Sequence, residues 1–190
     1  MEIFSAFGLS ASAGLNAYIP LLIVALLAKF TPWIRLNEPW DALTSWWVIG
    51  LLVVLSVIEF FADKIPAVNH INDAIQTFIR PAAGAIVFAA STSVVKEIHP
   101  VLAISAGILV AGGVHAAKSL VLRPAVTAVS GGTANVPVSM AEDVISTILS
   151  ILSVVVPVLI ACILILVTTT ILWMWLRKIR STSSVPKTRT

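Results

Sequence analysis

The sequence predicts an all-α, polytopic helical membrane protein with about five spans and one or two re-entrant or interfacial segments. Three observations lead there. Of 190 residues, 58% are hydrophobic and only 11% charged, with a mean hydropathy of +1.02, whereas soluble domains carry about 25% charged residues. Runs such as "WWVIGLLVVLSVI" and "VISTILSILSVVVPVLIACILILVTTTILWMW" supply much or all of the ~20 apolar residues with which a helix crosses ~30 Å of hydrocarbon. Even a polar stretch, "AVNHINDAIQTFIR", spaces Val68, Ile71, Ile75, Phe78 and Ile79 at helical intervals.

The first span is expected from Phe4 to Phe30. "MEIFSAFGLSAS" has no basic residue before its apolar run, so it reads as a retained span rather than a secretory signal. The second runs from Ser45 to Ala62, the third from Pro81 to Val95, the fourth from Pro100 to Ser119 and the fifth from Val144 to Leu176. Residues 1–176 form one transmembrane domain, followed by a basic tail, residues 177–190, expected to be disordered. That tail supplies most of the formal charge of +3. Abutting the last span, it is a cytoplasmic anchor rather than a nucleic-acid patch. Five spans then put the N-terminus outside. Trp33, Trp40, Trp46 and Trp47 by the first loop and Trp173 and Trp175 before the tail both fall at the cytoplasmic interface, with Lys29, Arg35 and Lys96.

Lys64, Arg80, Lys118 and Arg123 are exceptions to this charge rule. They mark two segments, Asp63 to Arg80 and Lys118 to Asp143, too polar for lipid and too apolar for ordinary loops. The first is either an amphipathic surface helix or a re-entrant one. The second contains Gly131, Gly132 and Pro137 and is expected to re-enter with irregular backbone. The two echo each other: "FIRPAAGA" at Phe78 to Ala85 against "VLRPAVTA" at Val121 to Ala128, with "AGLNAYIP" against "GTANVP" as a further echo. This is a candidate internal repeat, and interrupted helices at corresponding places point to a transporter's binding site. By helical rise, Glu59 lies roughly 20 Å beyond Trp46, His115 roughly 22 Å beyond Pro100, and Asn16 roughly 25 Å from Trp33. The three converge on one layer in the outer half of the membrane.

Glu59 and Asp63 share a helical face, and two carboxylates held close in low dielectric do not both ionise cheaply, which suits a proton carrier. The alternative is a static ion pair with Lys64 or Arg80. His115 and Lys118 form a second pair, with an imidazole able to carry protons and a lysine able to reach Glu59; otherwise they are a structural histidine and a lysine that snorkels to the surface. Arg80 and Arg123 each precede a proline that begins or breaks a helix, an arrangement suited to an anion or a lipid phosphate, or to ordinary headgroups. Asn16 with Pro20, and Asn135 with Pro137, mark unwound points. Glu142 and Asp143 open the last helix, where capping is their expected role. Asp73 and His70 complete the polar set, but no HxxxH or CxxC pair appears, so no metal and no cofactor is expected. The single cysteine, Cys162, makes no intramolecular disulfide. Nucleotide loops and GxSxG or HExxH motifs are lacking.

"GLNAYIPLL", "EFFADKIPAVNHINDAIQTFIRPAAGA" and "GGVHAAKSLVLRPAVTAVSGGTANVPVSMAEDV" together resemble a family of bacterial integral membrane proteins, with plant relatives, catalogued as a domain of unknown function. The resemblance covers Gly14 to about Pro157. It implies multispanning helical architecture, with the Asn-Tyr-Ile-Pro, Ala-Asp-Lys-Ile-Pro, Arg-Pro, His-Ala-Ala-Lys and Glu-Asp positions as hallmarks, and transfers no activity.

The functional expectation is a small transporter or permeation protein of the cytoplasmic (inner) membrane. It is expected to be homo-oligomeric, to contact membrane lipids and to bind no nucleic acid. Glu59 and His115 would carry protons, and Arg80 and Arg123 would hold an anionic or lipid-phosphate substrate. The alternatives are an intramembrane enzyme using His115 or Glu59 as a base on a lipid-like substrate, and a structural or assembly subunit.

Overall fold

The computed structural model describes residues 2–92 and 98–182. Among these there is no strand, and seven helices follow in order. They are α1 (Glu2–Leu15), α2 (Tyr18–Phe30), α3 (Trp46–Ala62), α4 (Pro66–Thr92), α5 (Pro100–Ser130), α6 (Asn135–Val155) and α7 (Pro157–Thr182). By length and composition, the Ile71–Thr92 part of α4, all of α5 and all of α6 suffice to cross a membrane.

Small side chains decide the packing. α1 buries Ala6, Leu9, Ser10, Ser12 and Ala13 against α4, α5 and α6, and its Gly14 lets the backbone approach Ala111 and Val114 of α5. α4 and α5 cross at Gly84 and Gly107; a methyl group added at Gly107 would stand 2.7 Å from the Ala85 Cα. Close backbone contact through small residues is how helices associate where lipid is as apolar as their own side chains. Hydroxyls add to it, with Ser12 Oγ 2.7 Å from Ser146 Oγ and 2.6 Å from Ser150 Oγ. Larger apolar side chains point outward instead. On α4, Phe78 is 79% exposed, and Ile71 and Ile75 are exposed too, while Gln76 and Arg80 on the other face are buried. Such an inside-out helix suits lipid, since water would favour the reverse.

The helix breaks differ from those expected. The first span is two helices, because the chain unwinds at Asn16 and Ala17; the Asn16 Oδ1 accepts from the Tyr18 and Ile19 amides, 3.1 Å each, and so caps α2. Pro20 follows in the first turn, where a missing N–H costs nothing. The third span does not begin at Pro81: α4 runs unbroken from Pro66, and Arg80 is mid-helix rather than at a helix N-terminus. The segment from Lys118 to Asp143 is not an irregular re-entrant stretch. α5 continues through it in π geometry over Lys118–Leu122 and then as α-helix to Ser130, so Arg123 is also mid-helix. Pro124 offers no N–H to the carbonyl four residues back, and the preceding turn relaxes to wider geometry.

Within that segment irregular backbone is confined to residues 131–134, where Gly131 and Gly132 adopt positive φ angles of 61° and 92°, values glycine takes at little cost. α6 then begins at Asn135, so Glu142 and Asp143 lie in its interior and do not cap it. The fifth span is interrupted at Val156, and α7 starts at Pro157, a favoured first helical position. Helix α7 continues past Leu176 into the expected tail as far as Thr182; residues 183–190 and Lys96 lie outside the described residues. The two Arg-Pro echoes occupy unlike settings, since Arg80 leads into the apolar half of α4 and Arg123 into the polar end of α5.

Candidate functional site

Four helices and one helix break bring charged and polar groups to one place. The end of α3 carries Glu59, then Asp63 and Lys64. α4 contributes Asn72, Asp73, Gln76, Thr77 and Arg80, one face at four-residue spacing that runs from buried Gln76 and Arg80 to exposed Thr77. α5 contributes His115, Lys118 and Arg123. α6 contributes Ser139, Glu142 and Asp143, and the α1–α2 break contributes Asn16 with the backbone on either side of it.

Arg80, fully buried, is the hub. Its Nη2 lies 3.0 Å from Glu59 Oε1 and 3.6 Å from Asp63 Oδ2, and its Nη1 lies 3.2 Å from His115 Nδ1. Guanidinium only donates, so His115 Nδ1 accepts. The opposite ring nitrogen, Nε2, stands 3.2 Å from Thr77 Oγ1, whose own proton goes to the Asp73 carbonyl. The two contacts fix a neutral imidazole with its proton on Nε2. Arg123 reaches Asp63 at 3.4 Å, Asp73 at 3.5 Å and Glu142 at 3.2 Å. Lys118 pairs with Glu142 at 2.7 Å, not with Glu59, the partner considered from the sequence. Lys64 pairs with Asp143 at 2.9 Å, and Asp143 Oδ1 accepts from Asn16 Nδ2 at 3.0 Å. Five carboxylates (Glu59, Asp63, Asp73, Glu142, Asp143) thus meet four cations (Lys64, Arg80, Lys118, Arg123).

The broken helix addresses this network at both of its ends. At the carbonyl end of α1, Leu15 O accepts from Lys118 Nζ at 3.1 Å. Across the break, Ala17 N–H donates to Glu59 Oε1 at 3.4 Å. A cation sits at the negative end and a carboxylate at the positive end, each matched to the helix dipole.

Some buried polar atoms have no hydrogen-bond partner. Glu59 Oε2, Glu142 Oε1, Gln76 Oε1, Asp73 Oδ1 and Arg80 Nε are among them, as is Ser56 Oγ. An unpaired buried polar atom is costly, so the network retains unspent capacity to bind a proton or a polar group. Beside it, a cavity of about 370 Å³ is lined by Asn16, Ile19, Ser56, Val57, Phe60, Phe61 and Asp143. Among the described residues no group of three or more His, Cys, Asp or Glu is arranged to hold a metal ion. His70 and Cys162 lie outside the residues whose side chains are described.

Of the site residues expected from sequence whose side chains are described, all but one enter this assembly. Asn135 stands apart, accepting from Thr127 Oγ1 at 3.1 Å across the glycine turn. Sequence reasoning missed Asn72, which donates to Asp63 at 2.6 Å, Ser139, 3.4 Å from Asp63 Oδ2, and Thr77. For Ser139 a signal existed: Ser139, Asp143, Ser146, Ser150 and Ser153 recur at helical spacing on an otherwise apolar helix, and all are buried.

No curated protein and no solved structure shows a match to this sequence. The sequence family described as Domain of unknown function (DUF4126) matches residues 3–177, and the chain belongs to that family.

Proposed function

We propose that this protein is a small membrane transporter in which the ion-pair network is the coupling site and Glu59 the proton carrier. The observation that carries this reading is the break between α1 and α2, whose two ends engage Lys118 and Glu59. Discontinuous helices whose ends face charge near the midplane are the usual construction of a transporter's ion and substrate sites. Glu59 Oε2 has no partner, and a proton there would make the five carboxylates and four cations neutral. His115 takes a second proton only if Arg80 withdraws from Nδ1, so its part in transport is linked to movement of Arg80. An anionic or lipid-phosphate cargo at Arg80 and Arg123 would have to displace carboxylates that already hold both. The same reading sets the protein in the cytoplasmic membrane as a homo-oligomer, with exposed apolar faces against lipid and the C-terminus inside; its support is the inside-out face of α4 and the basic C-terminal sequence.

The test is proton flux in proteoliposomes, followed with an entrapped pH dye under an imposed potential. Flux that Glu59→Gln abolishes, with thermal unfolding near wild type, supports the proposal; flux equal in both proteins, or absent from both, rejects it. A second reading, that the charges only fix helix packing, is favoured by the complete burial of Arg80. It wins if Glu59→Gln and His115→Ala lower stability and no flux is found.

A further inference from the structure

The buried polar atoms without a partner are not scattered. Asp73 Oδ1, Gln76 Oε1 and Arg80 Nε all come from α4, at spacings of three and four residues, which sets them in a row on one face with neighbouring Cβ atoms ~5–6 Å apart. Glu59 Oε2 is a fourth such atom, and Arg80 brings it into the row. In the planar guanidinium fork the Nε–H points to the same side as one Nη2–H, and Nη2 is the nitrogen that holds Glu59 Oε1 at 3.0 Å. The row also has an outer end. Asp73 is the most exposed charged side chain of the network, at 26%, against 14% for Lys64 and 12% for Arg123 and Asp143, whereas Gln76, Arg80 and Glu59 are buried.

The chemistry of the row selects its occupant. Nε–H only donates, while the amide oxygen and the carboxylate oxygens only accept, so what satisfies all four must do both. A cation would meet the Arg80 N–H, and an anion would meet three acceptors; neutral water accepts from Nε and donates to the oxygens. At ~2.8 Å per hydrogen bond, one water bridges atoms up to about 5.6 Å apart, which matches the steps of the row. Buried waters typically make about three bonds, to polar groups that the protein itself leaves unsatisfied. We propose that α4 carries a file of ordered water from Asp73 past Gln76 to Arg80 Nε and Glu59 Oε2, and that protons reach Glu59 along it. A proton received at the Asp73 end passes inward by exchange: each water binds one proton and releases another to its inner neighbour, and the last released forms the O–H bond on Glu59 Oε2. The guanidinium keeps its protons throughout and orients the innermost water. Gln76 is a positioning residue that holds the file midway. The use of the file as a route rests on the transport reading; the water site rests on the unpartnered atoms alone.

The probe is water itself, with the full-length protein in lipid bilayers. In protein carrying isotope-labelled arginine, water-edited solid-state NMR is expected to show rapid transfer from water to the Arg80 Nε–H, at least three-fold slower in Gln76→Leu. The same variant should lose at least ten-fold of the Glu59-dependent proton flux in proteoliposomes. Its thermal unfolding should stay at or above wild type, because a lone buried acceptor leaves with the amide. A Gln76 that only packs would give the opposite, lower stability with flux intact. Absence of transfer to the Arg80 Nε–H in the wild type overturns the inference, and Glu59-dependent flux then leaves the transport proposal standing without this route. Flux that Gln76→Leu leaves unchanged overturns it as well. Transfer at Arg80 with no proton flux from the wild type retains the water site and removes the transport proposal together with the route.

Discussion

Replacing Arg80 with Met tests whether the network is held by charge. Methionine keeps an unbranched stem and removes the guanidinium, so what changes is the environment of Glu59, Asp63 and His115. Asp63 keeps Asn72, Arg123 and Ser139 as partners. Glu59 keeps only the Ala17 amide at 3.4 Å and is 1% exposed, so the loss concentrates there. Removing one member of a buried ion pair costs about 3–5 kcal/mol, because the survivor is left charged and unpaired. For a chain of this length, at about 2–4 °C per kcal/mol, that is a fall in Tm of roughly 6–20 °C. The double variant Arg80→Met with Glu59→Gln takes away the orphaned charge as well, and should recover at least about half of the loss, the mark of direct coupling in a double-mutant cycle. Thermal unfolding in nanodiscs provides all four corners of the cycle. A cost below about 1 kcal/mol for Arg80→Met, or a double variant no more stable than the single one, would refute the reasoning, since either means that Glu59 does not depend on Arg80.

Gly107→Ala should destabilise by about 1–3 kcal/mol, because its methyl meets the backbone of Gly84 and Ala85, whereas Gly113→Ala, with open space around it, should stay within about 0.5 kcal/mol in the same unfolding assay. Asn16→Ala removes the cap of α2 and should cost about 1 kcal/mol, with faster hydrogen exchange at the Tyr18 and Ile19 amides; exchange as slow as wild type would contradict the cap. Ser12→Ala breaks the hydroxyl contacts to Ser146 and Ser150 and should cost about 0.6 kcal/mol and under about 2 kcal/mol, the range of hydrogen bonds between helices in lipid.

The helical class was legible because composition and apolar run length depend on burial and lipid, which act through averages over many residues. The unwound point at Asn16 was legible for a local reason: asparagine followed by a proline four residues on is a capping pattern. Pro81 and Pro124 misled by the same local logic. A proline's missing hydrogen bond is a cost that tertiary contacts outweigh, and here Arg80 and Arg123 gain ion pairs from staying in continuous helices. Depth counting set Glu59, His115 and Asn16 at one level, and the structure gathers all three into the network. The count did not reveal which charge meets which, since that depends on helix rotation: Lys118 faces Glu142 rather than Glu59. Pro157 marked the end of α6 in plain view, but the apolar run on both sides of it concealed the break.

Placing the network beside a break in the first span has a mechanical consequence. Lys118 is tied to Leu15 O before the break and to Glu142 on α6, while Glu59 is tied to Ala17 N–H after it and to Arg80 on α4. α1 and α2 are therefore anchored to different partners through opposite charges, and the two residues between them, Asn16 and Ala17, are the only covalent link. On the transport proposal, a proton on Glu59 would weaken the anchor of α2 to Arg80 and leave the anchor of α1 to Lys118 intact, so that one helix could shift while the other stayed packed on α4 and α5. The cavity lies on the α2 side of the break, with Asn16, Ile19 and Asp143 among its lining residues, so its shape would change with any shift of that helix. On that proposal, protonation and cavity geometry would be two readings of one displacement, and coupling would require a single element with two arrangements that both sites bias.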